Sequence, residues 1–148
     1  MLHPGERDPS DFMILAQLTR EVRSVLDRPA KDPRIQRSVD LLRQTHAVQV
    51  DEIAASVNLS ASGFRHLFKK ALGVSPGHYL RLVRLEHAKE LLQNTFLTIK
   101  EITVLVGVND VSHFVRDYKA FYRQTPSETR ALFHKAPRRI PADSHYGQ

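Results

Sequence analysis

The sequence predicts an all-α fold: two helix-turn-helix subdomains joined by a long linker helix, with an extra helix at the N-terminus. Two observations point to it. One cadence occurs twice, as LFKKALGVSP over Leu67–Pro76 and as DYKAFYRQTP over Asp117–Pro126: aromatic, lysine, bulky apolar residue, then hydroxyl and proline. Between the copies runs GHYLRLVRLEHAKELLQNT, ending at Thr95. It is an uninterrupted helical stretch, and at ~1.5 Å per residue it makes a rod about 30 Å long.

Taken in order, the segment Ser10 to about Arg28 opens with a capping residue, Ser10 or Asp11, and repeats Leu15, Leu18, Val22 and Val25 at helical spacing. It either packs on its own domain or pairs with a partner chain, its near-heptad seam being only about two repeats long. Pro29 and Pro33 bound a connector, so residues 1–33 form an N-terminal helix and link. A second helix follows to about Thr45 with Ile35, Val39, Leu41 and Leu42 on its apolar face. The first helix-turn-helix occupies about 50–73. Ile53, Ala54 and Val57 face inward from its first helix, and Ala54 allows a close helix crossing. Asn58 suits the left-handed turn, Leu59 returns to the core, Ser60 caps the second helix and Gly73 closes it. Ser75-Pro76 then starts the linker helix, about 76–95.

The second unit, about 98–122, repeats the first. Thr98 to Ile102 matches Gln49 to Ile53 at an offset of 49, and Gly107 takes the slot of Asn58. One extra residue in the turn (Asn109, Asp110) makes the offset 50, at which Phe114, Tyr118, Lys119, Thr125 and Pro126 match Phe64, Phe68, Lys69, Ser75 and Pro76. A short helix to about Phe133 completes a domain spanning 34–134, and the polar, proline-broken segment 135–148 reads as a flexible tail.

Composition narrows the function. The 148 residues, 41% apolar, suit one compact domain. No apolar run approaches the ~20 residues a membrane span needs, and MLHPGERDPSDFM does not read as a secretory signal; a cytoplasmic protein is expected. Absence of cysteine excludes disulfides, thiolate zinc sites and cysteine nucleophiles. The eight histidines show no metal-ligand spacing, and no phosphate-cradling loop, catalytic triad or paired-carboxylate motif occurs. We therefore expect no metal, no cofactor and no enzyme activity. Residues 1–31 balance five basic against five acidic side chains, so the net +6 arises entirely afterwards. A basic surplus confined to one region is a footprint for polyanions, nucleic acid first.

With these residues in view, about Arg34 to Phe133 resembles the DNA-binding domain of the AraC/XylS family of bacterial transcription regulators. The carriers are IAASVNLSASGFRHLFKKALGVSPGHYLRLVRLEHAKELL and IKEITVLVGVNDVSHFVRDYKAFYRQTPSETR. The second unit departs from the family pattern, with Thr103 for the usual Ala, Val108 for Phe, Arg123 for Gly and Thr129 for Tyr. The resemblance implies that the second helix of each unit enters the major groove. Mapped by motif position, the base-contacting candidates are Ser62, Arg65 and His66 in the first unit, with Val111, Ser112, Val115 and Arg116 in the second. An outward arginine can pair bidentately with guanine, whereas valine reads only a thymine methyl or shape. Ser60, Lys69, Arg81, Thr98 and Lys119 suit phosphates, which fix register without choosing sequence.

The expected function is a sequence-specific, double-stranded DNA-binding transcription regulator that sets two recognition helices into successive major grooves; the alternative is a helical protein-interaction module. Promoter DNA is the expected partner and RNA polymerase a further candidate. The chain acts as a monomer or as a weak dimer through the N-terminal helix. With about 33 residues before the match, it resembles short family members that lack a sensor domain, or a fragment of a longer regulator.

Overall fold

The computed structural model describes residues 8–44 and 48–134, which form eight α-helices and, among those residues, no strand. The predicted tail, 135–148, lies outside the described residues. Helix α1, Pro9–Leu26, begins slightly earlier than the spacing predicts. Asp8 caps it, accepting the Ser10 N–H at 2.9 Å, and Pro9 fills the first position, where no N–H is needed. In α2, Pro33–Gln44, Ile35, Val39 and Leu42 are buried as predicted while Leu41 is only half-buried. Ser38 joins the buried face by donating its hydroxyl to the Ile35 carbonyl at 2.6 Å.

Helices α3, Val50–Ser56, and α4, Ala61–Leu72, make the first helix-turn-helix. Asn58 takes the left-handed conformation (φ 60°), and Ser60 accepts the Gly63 N–H at 3.1 Å. The Leu59 N–H reaches back to the Ala54 carbonyl at 3.0 Å over a buried alanine, so a larger side chain at Ala54 would collide. Gly73 ends α4 at φ 79°.

Helix α5, Pro76–Asn94, is the predicted linker, 19 residues and so about 28 Å long. It is not a solvent-exposed rod. It packs against α1, α2, α4, α6 (Ile99–Leu105) and α8 (Pro126–Phe133). Of the apolar residues that the sequence offers for burial, Leu80, Val83, Ala88 and Leu92 are buried and Leu91 is half-buried, and Tyr79, Leu82, Leu85, Glu86 and Lys89 are buried with them. The linker is therefore the shared core of both units.

Helix α7, Val111–Tyr122, follows α6 through a turn with Gly107 at φ 82°, and the Asp110 carboxylate accepts the N–H groups of Ser112 and His113. The departures from the family pattern each find a physical answer here. Buried Thr103 donates its hydroxyl to the Ile99 carbonyl at 2.7 Å. Val108 still packs, half-buried, against the core. Thr129 and Tyr118 complete one another: the Tyr118 hydroxyl donates to Thr129 (2.8 Å), which donates to the Gln124 side chain (2.6 Å). Arg123 holds the left-handed cap at φ 58°, a conformation that costs about 1 kcal/mol or more without glycine.

Helix α1 shares this core. Its Leu15, Val22 and Leu26 are buried against α5 and α7, and the Leu26 carbonyl accepts the buried Tyr79 hydroxyl at 2.9 Å. Arg28 donates to the Leu72 carbonyl at the end of α4 (2.8 Å). Below the surface, Glu86 pairs with Lys89 at 3.2 Å and accepts the Tyr122 hydroxyl at 3.0 Å, while Lys89 donates to Thr19 of α1 at 3.0 Å. Of the two readings of this helix, intramolecular packing is what the structure shows.

Burial pushes the Tyr118 and Tyr122 phenols well above their ordinary range, and for Tyr122 the Glu86 carboxylate adds to the shift. The unfolded chain releases these protons near pH ~10 while the folded chain keeps them. The stabilisation is thus complete below that pH and lost as pH rises above it, by up to ~1.4 kcal/mol per pH unit per tyrosine. Thermal melts from pH 9 to 11 check this: Tyr122→Phe should lose stability less steeply than the parent.

Candidate nucleic-acid interface

The two second helices present their reader positions to solvent. On α4, Ser62, Arg65 and His66 are all exposed. On α7, Val111, Ser112 and Arg116 are exposed, but Val115 is half-buried and packs against the core. It borders the buried face because it lies three residues before the fully buried Tyr118, so only part of its side chain is open to solvent. Arg65 is held toward α3 by an ion pair with Asp51 at 3.1 Å, both side chains being more than half exposed. Such a surface pair contributes little to stability and does not lock the guanidinium away.

The phosphate candidates divide. Lys69 and Lys119 are exposed in the last turns of α4 and α7. The hydroxyl oxygens of Ser60 and Thr98 each cap a helix, accepting the N–H of Gly63 and of Glu101 at 3.1 Å; their O–H donors stay available. Arg81 is placed differently from the others. Its guanidinium pairs bidentately with the Asp117 carboxylate of α7 and lies 5.1 Å above the Phe121 ring.

Arg65 of α4 and His113 and Asp117 of α7 line one open cleft of about 590 Å³, floored by Leu80, Arg81 and Arg84 of α5. The two second helices therefore flank the same side of the molecule, with the linker between them. Burial lowers the Arg84 pKa from its ordinary value, although a guanidinium remains charged. Sequence reasoning missed His113 and Asp117 as members of this site. Their four-residue spacing, continued by Phe121, was the available signal.

A family model described as "Helix-turn-helix domain" matches residues 53–132, more than half of the chain. The fold resembles the crystal structure of a transcriptional regulator from Chromobacterium violaceum, described as AraC-type DNA-binding domain-containing, with a TM-score of 0.64 and 31% identity over 71% of this chain and 96% of that one. The chain belongs to the AraC-type helix-turn-helix family. Among curated relatives, the lactose operon transcription activator of Staphylococcus xylosus is 36% identical over 67% of this chain, and the xylose operon regulatory protein of Escherichia coli K12 is 31% identical over 74%. The chain spans 36% and 29% of the lengths of those two relatives. Among the described residues no helix is long and apolar enough to cross a membrane, and no cluster of histidine and carboxylate groups could hold a metal ion.

Proposed function

We propose that this AraC-type chain reads double-stranded promoter DNA by setting α4 and α7 into successive major grooves, as the DNA-binding part of a transcription regulator. The observation that carries the reading is the shared cleft, lined by Arg65 of α4 and by His113 and Asp117 of α7, with a linker helix about 28 Å long between the two second helices. Successive major grooves on one face of B-DNA recur at ~34 Å. Arg65 and Arg116 serve as base readers, with Ser62, His66, Val111 and Ser112 beside them; Val115 contributes through shape alone. Lys69 and Lys119 neutralise phosphates. The protein is a binder without catalytic activity and works in the cytoplasm beside its DNA, with RNA polymerase as the further partner its role implies. Because the buried face of α1 is occupied by its own domain, we favour a monomer over pairing through that helix.

Selection of bound duplexes from a random library tests the reading. Two enriched blocks centred about one turn apart are expected, with affinity falling by ~0.9 log units per log unit of salt for each phosphate neutralised. Enrichment of no sequence would sink it and favour the protein-interaction module instead.

A further inference from the structure

We propose that Arg81 and Asp117 are positioning residues, a latch that sets the second recognition helix on the linker and thereby decides how well the protein discriminates sequence at the second half-site. The inference rests on the DNA-reading role above and names parts that role does not supply.

The latch is one face of α7. His113, Asp117 and Phe121 recur every four residues, so they stack along the helix on a side separate from exposed Ser112 and Arg116. That side meets α5. Asp117 takes the Arg81 guanidinium with both carboxylate oxygens and lies 3.4 Å from the His113 ring nitrogen. The Phe121 ring sits under Arg81 and 5.8 Å from the ring of His78, one turn earlier on α5. Behind it, Leu18, Val22 and Val25 of α1 close a small cleft with His78, Leu82 and Phe121. A bidentate arginine–carboxylate pair fixes distance and plane together, which a single hydrophobic contact does not. The first unit has no equivalent: Gly63, Leu67 and Ala71 stand at the matching positions. Recognition tolerates only about half an ångström of misplacement, so the element that fixes the angle of α7 governs its reading.

Electrostatics makes the proposal testable by sign. Asp117 lines the cleft between the two second helices, close enough to the proposed DNA surface for its negative charge to repel a polyanion. If it were an ordinary solvated acid, Asp117→Asn would tighten DNA binding. A latch predicts the reverse. Likewise, Arg81→Lys keeps the charge that a phosphate contact needs but loses the fork.

The experiment measures the full chain and its Asp117→Asn, Arg81→Lys and Arg81→Asp/Asp117→Arg variants on three duplexes: the selected site, that site with its second block scrambled, and random sequence. Thermal melts confirm folding of each variant. We expect Asp117→Asn and Arg81→Lys each to bind the selected site about tenfold more weakly, the scale of one charged hydrogen-bonded pair, with binding to the scrambled duplex unchanged. The charge-swapped double variant should recover most of the loss. Unchanged or tighter binding by Asp117→Asn overturns the latch, as does full retention by Arg81→Lys or an equal loss on all three duplexes. If the parent chain itself prefers no sequence, it is the DNA-reading role that has failed, which the variants alone could not produce.

Discussion

Lys89→Met lowers the free energy of unfolding by about 3–5 kcal/mol, because it leaves the Glu86 carboxylate buried without its cation. Both side chains are less than a tenth exposed, so water cannot take over solvation of the remaining charge. Domains of this size unfold at a cost of only about 5–15 kcal/mol, and the variant should be marginal at 37 °C. The loss reaches beyond one pair. Lys89 also donates to Thr19, and Glu86 holds the Tyr122 hydroxyl, so α1, α5 and α7 loosen together. A double-mutant cycle with Glu86→Leu, followed by urea unfolding, checks the cause. Removing both charges should restore most of the stability, since a buried pair is often replaceable by apolar residues of similar volume. A double variant as unstable as Lys89→Met alone would show that packing, not charge, sets the cost.

The second large effect is on recognition. Arg65→Ala and Arg116→Ala should each weaken the selected site by about 1–3 kcal/mol, the value of one bidentate pairing with guanine. The two residues sit on different units and share no described partner, so the losses should add in the double variant. Binding to random duplex should fall far less, since removing one phosphate-range cation costs affinity uniformly. Fluorescence anisotropy titrations on specific and random duplexes at one salt concentration measure both. A variant with an unchanged ratio of specific to random binding would exclude that arginine as a base reader.

Much of this architecture was legible in the sequence because short-range rules fixed it. Asn58 and Gly107 mark left-handed turns whatever surrounds them, and Ser60, Ser75, Thr98 and Thr125 each cap a helix by accepting an N–H three residues away. Comparing the two copies of the repeat then located the second helix of each unit, α4 and α7. The same comparison hid the contact between α5 and α7, because His113, Asp117 and Phe121 are where the copies differ. Aligning them with Gly63, Leu67 and Ala71 made them look like variation rather than a site. The polar contacts of helix α5 were hidden for a different reason. Its burial runs around most of the helix, and the partners of Glu86 and Lys89 are Tyr122 and Thr19, 36 and 70 residues away respectively, which no local pattern shows. The sequence offers Arg81 as a phosphate candidate; its ion pair with Asp117 is a long-range fact that no local pattern carries. Val115 is half-buried while its neighbour Arg116 is exposed, a difference between adjacent positions that the motif does not show.

The central claim is that a rigid α5 holds both readers on one side at the spacing of successive grooves. Inserting five base pairs between the two blocks of the selected site rotates the second by half a turn without changing either sequence. Affinity for the lengthened duplex should drop to that of a single block, and ten inserted base pairs should not restore it, because the linker cannot stretch. Unchanged affinity after the five-base-pair insertion would contradict the account.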